Sequence, residues 1–315
     1  MATPQEQLAD ALRALKTLQD GGHVALRSRD LDRRDRECLL RAGYLQRVMK
    51  GWYVPARPDE QPGDSTAWYA SFWRFCASYL ESRFGDRWAV SPEQSLLLHA
   101  GNTTVPRQLL VRAPEASNNA TALFLGTGIL EVKGELPPAR ELERVDGLRR
   151  YRLPHALISA APRSYVNHPL DMRTALGLVR DASEILPALL DGSHTAAAGR
   201  LAGATRRVGR VNIADDILRA MRAAGYTVSE TDPFDDDLTV SFPPRERSPY
   251  SNRIRAYWQS MRDDIIAAFP EPPGLPPDKA RYLEHVDDVY TSDAYHSLSI
   301  EGYRVNAELI ERVRD

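Results

Sequence analysis

The sequence predicts an α+β protein with an N-terminal winged helix-turn-helix, a mixed α/β middle domain and a C-terminal helical segment. Three observations predict it. Apolar residues recur at helical spacing over long stretches, as in Leu8, Leu12, Leu15 and Leu18. Short β-like runs, among them Tyr44 to Val48 and Trp52 to Val54, interrupt those stretches. Two proline-containing charged connections, 55–65 and 243–249, carry no apolar periodicity, which sets domains at 1–57, 66–242 and 248–315.

The first helix begins at Pro4 and closes at Gly21-Gly22. After the apolar segment His23 to Leu26, Ser28 is placed to cap a brief helix through Leu31. A further helix, Arg33 to Ala42, turns Cys38, Leu39 and Leu40 inward and ends at Gly43. Two strands separated by Met49-Lys50-Gly51 follow. Helix, short helix, helix and hairpin is the order of a winged helix, whose third helix enters a major groove while the hairpin approaches the backbone. Arg33, Arg34 and Arg36 open that helix, where base edges would be reached; Arg27, Arg29, Arg47 and Lys50 are placed to hold phosphates. Between Arg27 and Lys50 there are eight basic and four acidic residues. The interleaved Asp30, Asp32, Asp35 and Glu37 dilute that field and keep open a protein-docking wedge.

In the middle domain, the aromatic pattern from Trp68 to Phe84 reads as a buried helix in preference to a base-stacking platform. Ser91 caps a helix through His99. Strands are expected at Gln108 to Arg112, Thr121 to Leu125 and Ile129 to Val132, then helices over Leu170 to Leu190, His194 to Ala204 and Asn212 to Ala224. The Ala- and Gly-rich His194 helix implies close packing. Thr205 to Arg210, a basic cluster able to touch DNA phosphates, is read in preference as a solvated loop, and Asp235-Asp236-Asp237 as an acidic turn rather than a metal site.

The C-terminal segment holds amphipathic helices over Tyr250 to Phe269 and Asp278 to His296. Beyond them, Gly302 can end a helix and Asn306 can cap another, with Leu309, Ile310 and Val313 as its apolar face.

Two stretches carry resemblances. GYLQRVMKGWYVP, residues 43–55, is similar to the corresponding part of AbiEi-type antitoxins, whose N-terminal winged helix binds operator DNA; a fainter similarity extends into the middle region. Ser297-x-x-x-Glu301-Gly302 fits the inhibitory motif of Fic proteins, (Ser/Thr)-x-x-x-Glu-(Gly/Asn), and SLSIEGYRV and ELIERVR resemble the helices preceding a Fic catalytic core. The resemblance implies that Glu301 pairs with a catalytic-loop Arg and fills the space of the ATP γ-phosphate, with Ser297 one helical turn earlier on the same face. No His begins the Fic catalytic motif His-x-Phe-x-(Asp/Glu)-Gly-Asn-Gly-Arg, and the sequence stops at Asp315, before that loop would appear. The chain is therefore expected to be the regulatory portion of a Fic-type AMP-transferase, inactive alone and without cofactor. ATP and Mg are expected only with a complete Fic core, met in cis or in trans.

Composition fits this outline. With 43% hydrophobic and 27% charged residues and a net charge of −2, the 315 residues read as a soluble protein with more than one core. No membrane partner is expected, because no apolar run approaches a span and the N-terminus lacks a signal pattern. Cys38 and Cys76 read as reduced buried thiols, giving the cytoplasm as the expected address.

Overall fold

The computed structural model describes residues 3–59, 66–243, 248–271, 274–300 and 306–314. It is an α+β protein that divides into two compact units, Met1–Met261 and Arg262–Asp315.

The first unit opens with α1 (Pro4–Asp20), whose Thr3 and Glu6 form a reciprocal capping box. Then come β1 (Leu26–Arg27), α2 (Arg33–Arg41), β2 (Leu45–Met49) and β3 (Trp52–Pro55). The strands form an antiparallel sheet in the order β1-β3-β2, with a register shift between Arg47 and Met49. The brief helix expected from Ser28 to Leu31 is instead a turn, closed by the Asp30 amide on the Arg27 carbonyl at 3.0 Å. Asp30 also accepts the Arg27 amide through its carboxylate at 2.7 Å, which favours a local turn over a helical start.

Both faces of this small sheet are covered. Leu26, Leu45 and Tyr53 join Ala11, Leu15 and Leu39 in a core with α1 and α2. Val48 and Val54 face the other way, into the aromatic core around α3 (Thr66–Phe84), where Trp52 meets Phe75 and Tyr79 edge-on at 5.8 and 5.6 Å. Trp68, Phe72, Phe75, Tyr79 and Phe84 of α3 are core, as their spacing predicts, while Trp73 is half-buried and Tyr69 exposed.

Across α3 lies a mixed sheet of β4 (Ala89–Val90), β5 (Gln108–Ala113), β6 (Ala120–Ala122) and β7 (Gly128–Lys133), ordered β4-β5-β7-β6 with β5 and β7 parallel. The expected strand to Leu125 stops at Ala122, because residues 124–126 turn in a 3-10 segment with Leu125 at φ 50°. Glu131 on β7 is 1% exposed and is held by Arg83 of α3 at 2.7 Å. A hairpin of β8 (Leu142–Val145) and β9 (Leu148–Tyr151) completes the β structure.

Helices α4 (Pro92–His99, capped by Ser91), α5 (Leu153–Ser159), α6 (Ser164–Asn167), α7 (Pro169–Gly177), α8 (Leu186–Asp191), α9 (Thr195–Arg207) and α10 (Val211–Ala223) surround a second core. The single helix expected over Leu170 to Leu190 is therefore broken. It ends at Gly177, and Asp181 caps a separate 3-10 turn through the Ser183 amide. The close packing of α9 holds: a Cβ on Gly199 or Gly203 would lie 2.0 and 2.1 Å from the carbonyl oxygens of Ser229 and Thr231.

Helix α11 (Pro249–Ala268) meets the first unit through buried Asn252 and Ala256, and Arg253 pairs with Asp171 at 2.5 Å. In the second unit, α12 (Lys279–Ile300) has no buried residue, and α13 (Ala307–Arg314) is capped by Asn306, whose Oδ1 accepts the Leu309 amide at 2.8 Å. Ile310 is buried there, while Val313 is 75% exposed and so departs from the expected apolar face. No helix among the described residues is long and apolar enough to cross a membrane.

Candidate nucleic-acid interface

The head sorts its basic residues by position. Arg27 starts from β1, half-covered, and donates from its guanidinium to Ser82 Oγ of α3 at 2.9 Å while lying over the Trp52 ring. Arg36 reaches back from α2 to the carbonyls of Ser28 and Leu31, with its guanidinium over Tyr53. Both guanidiniums of the expected DNA-facing set thus have partners within the protein, closing the turn and joining head to body. Arg33 is exposed at the start of α2, where Glu37 one turn on accepts from it at 2.8 Å. That pairing holds the Glu37 carboxyl below the usual carboxylate range.

Four of the predicted cations remain exposed, with side chains that make no hydrogen bond or ion pair among the described residues: Arg29, Arg34, Arg47 and Lys50. Two of them are brought together. The Ser28 amide donates to the Gly51 carbonyl at 3.0 Å, so the turn carrying Arg29 abuts the hairpin turn carrying Lys50. Gly51 takes φ +82° there, a conformation that glycine adopts without strain. Arg34 projects from the first turn of α2, and Arg47 stands on β2 opposite Tyr53. The arrangement can bind a polyanion: unpaired cations on a turn, a helix start and a hairpin, mounted on a rigid base.

No family model and no curated protein matches this chain. Among solved structures, the RV2827C protein from Mycobacterium tuberculosis is similar at a TM-score of 0.44 and 15% identity, over 67% of this chain and 80% of that one. A likeness that low carries no argument about either fold or function.

The remaining predicted residues lie elsewhere. Ser297 is exposed near the C-terminal end of α12 in the second unit, whereas Glu301 and Gly302 lie outside the described residues. The basic cluster 205–210 is not the solvated loop expected. Arg206 pairs with Glu230 at 2.6 Å and Asp215 at 2.8 Å, Arg207 pairs with Asp232, and Arg210 donates to the carbonyls of Gly177 and Pro243. The acidic turn supplies one side of this lock, since Asp236 holds the fully buried Arg173. Among the described residues, no group of three or more His, Cys, Asp or Glu is placed to hold a metal ion.

Sequence reasoning missed two residues on the head's outer surface. Arg41 lies on the same exposed face of α2 as Arg33 and Glu37, and Arg57 is exposed just beyond β3. The spacing 33, 37, 41 was signal enough for the first. Nothing local marks the second.

Proposed function

We propose that this chain is a DNA-binding regulator, the regulatory portion of a Fic-type AMP-transferase, with Glu301 as the inhibitory group. The observation that carries the DNA-binding part is the set of exposed cations without partners, Arg29, Arg34, Arg47 and Lys50, on a helix-strand-helix-hairpin head. Arg34 is the residue of α2 free to reach base edges; Arg29, Arg47 and Lys50 hold phosphates. The free thiols Cys38 and Cys76 are compatible with a cytoplasmic address.

The test is fluorescence anisotropy of the full chain on its own promoter fragment across a salt series. Replacing Arg29, Arg47 and Lys50 by Ala lowers the slope of log affinity against log salt by about 1 per residue removed. Arg34→Ala costs about 1–3 kcal/mol and relaxes sequence preference. Absent or salt-insensitive binding overturns this part.

The inhibitory role rests on the resemblance of residues 297–305 and 308–314 to the segment preceding a Fic core. What supports it is that Ser297 is solvent-facing near the end of α12 and that Asn306 caps the following helix as the sequence predicts. In a longer chain that includes a catalytic core, Glu301→Gly raises ATP-dependent target labelling; unchanged labelling overturns it. The same head without any enzymatic partner would be an antitoxin-type repressor, recognised by DNA binding intact and labelling absent in the longer chain.

A further inference from the structure

On α11, the residues opposite the buried pair Asn252 and Ala256 form a continuous apolar stripe: Tyr250, Ile254, Trp258, Met261, Ile265 and, just past the last turn, Phe269. Their exposures run from 38% at Ile265 to 75% at Phe269, and Trp258 is 52% exposed. A stripe of this length on a helix anchored through its first turns by Asn252 and Ala256 is too large to be incidental surface.

The intervals along the stripe are 4, 4, 3, 4 and 4 residues, which read the same from either end. Turned end for end against itself, the helix sets Tyr250 against Phe269, Ile254 against Ile265 and Trp258 against Met261, each large side chain meeting another. The 4-3-4 spacing at the centre is that of a helix-packing seam. Charge favours the same orientation. The macrodipoles of antiparallel helices oppose, and Arg255, unpaired among the described residues, lies in the first half with Asp264 in the last turns. Side chains of this size bury on the order of 100 Å² each at their present exposure, so the paired stripes remove roughly 1,200 Å² from water, the lower bound for a specific interface.

We propose that a second copy of this chain covers the stripe, forming a two-fold symmetric dimer through antiparallel pairing of α11. The symmetry follows from the palindromic order, since a self-complementary patch closes as a dimer and exposes no further copy of itself. DNA binding is not required for it, so the two proposals stand or fall separately.

Sedimentation velocity of the full chain over a concentration series tests it. A monomer-dimer equilibrium is expected, and Trp258→Glu weakens it by about tenfold or more while leaving the circular dichroism spectrum unchanged, because the side chain is exposed in the monomer. Cross-linking checks the orientation in a Cys38→Ser background. Chains carrying Ile254→Cys and chains carrying Ile265→Cys, mixed and oxidised, form the mixed disulfide. A chain that stays monomeric up to roughly 0.1 mM, or a 254–254 cross-link in place of the mixed one, overturns the proposal.

Discussion

Helices α3 and α11 are close in length, 19 and 20 residues, and similarly rich in aromatic and large aliphatic side chains, yet one is core and the other largely surface. In α3, eight residues are buried, including Trp68, Phe72, Phe75 and Tyr79. In α11, only Asn252 and Ala256 are. What separates them is the neighbourhood. α3 has the head's sheet on one side and the mixed sheet on the other, so most of its large apolar side chains are covered and a strip through Ala70, Arg74 and Ser78 is left to solvent. α11 meets protein along one narrow face. The difference shows that apolar spacing announces what a helix needs to cover, not whether the cover lies in the same chain.

The sharpest way to break this contrast is truncation. Phe75→Ala in α3 is expected to destabilise the first unit by about 3–5 kcal/mol in urea unfolding, through lost transfer energy and an unfilled cavity. Trp258→Ala in α11 is expected to change folding stability by less than about 0.5 kcal/mol when measured on the monomer. Equal costs would mean that the stripe is part of the fold.

The polar anchors of the two helices sharpen it further. Arg83→Ala leaves Glu131 buried without its cation and costs about 2–3 kcal/mol, allowing for the partial exposure of the arginine. Arg253→Ala leaves Asp171 still accepting from Asn102 at 3.0 Å, and about 1–2 kcal/mol is expected from the same measurement.

A further small effect is expected where the two helices line one cavity. Trp73 of α3 and Tyr250 of α11 line a cavity of about 310 Å³ together with His99. Burial, with Arg150 adding to it, pushes the His99 imidazole below the usual histidine range, while its Nε2 contacts the Tyr151 carbonyl at 2.9 Å. The unfolded chain therefore binds a proton that the folded chain refuses. Stability contributed by neutral His99 is full above the unfolded pKa and declines as pH falls from there toward the folded value. Unfolding free energies measured between pH 7.5 and 5, as round working limits, are expected to fall by less than about 1 kcal/mol from this group, and His99→Gln removes that part of the slope.

Much of this architecture was legible from residues that act locally. Ser91 and Asn306 cap where their side chains permit, Gly43 and Gly225 end helices at φ +77° and +87°, and the aromatics of α3 kept their helical period. The β8–β9 hairpin carried a legible Asp146-Gly147 turn, both residues at positive φ, and went unread because Val145 and Leu148 are isolated in a basic stretch. The two-residue β4 leaves no periodicity to detect. In the head, local sequence placed the cations but could not assign them. Arg27 is drawn inward by Ser82, 55 residues along the chain, and Arg36 by carbonyls of a turn that sequence spacing presented as a helix.

The sheet of the head has no free side: Leu45 and Tyr53 are packed against its own helices, Val48 and Val54 against α3. A reader hung on a tether finds its sequence by swivelling, whereas a head that reads DNA as proposed would be wedged on both faces of its sheet. A duplex gripped by Arg34 and Lys50 would be carried at one fixed bearing to the aromatic body, so the geometry between them is written into the fold and not into any linker.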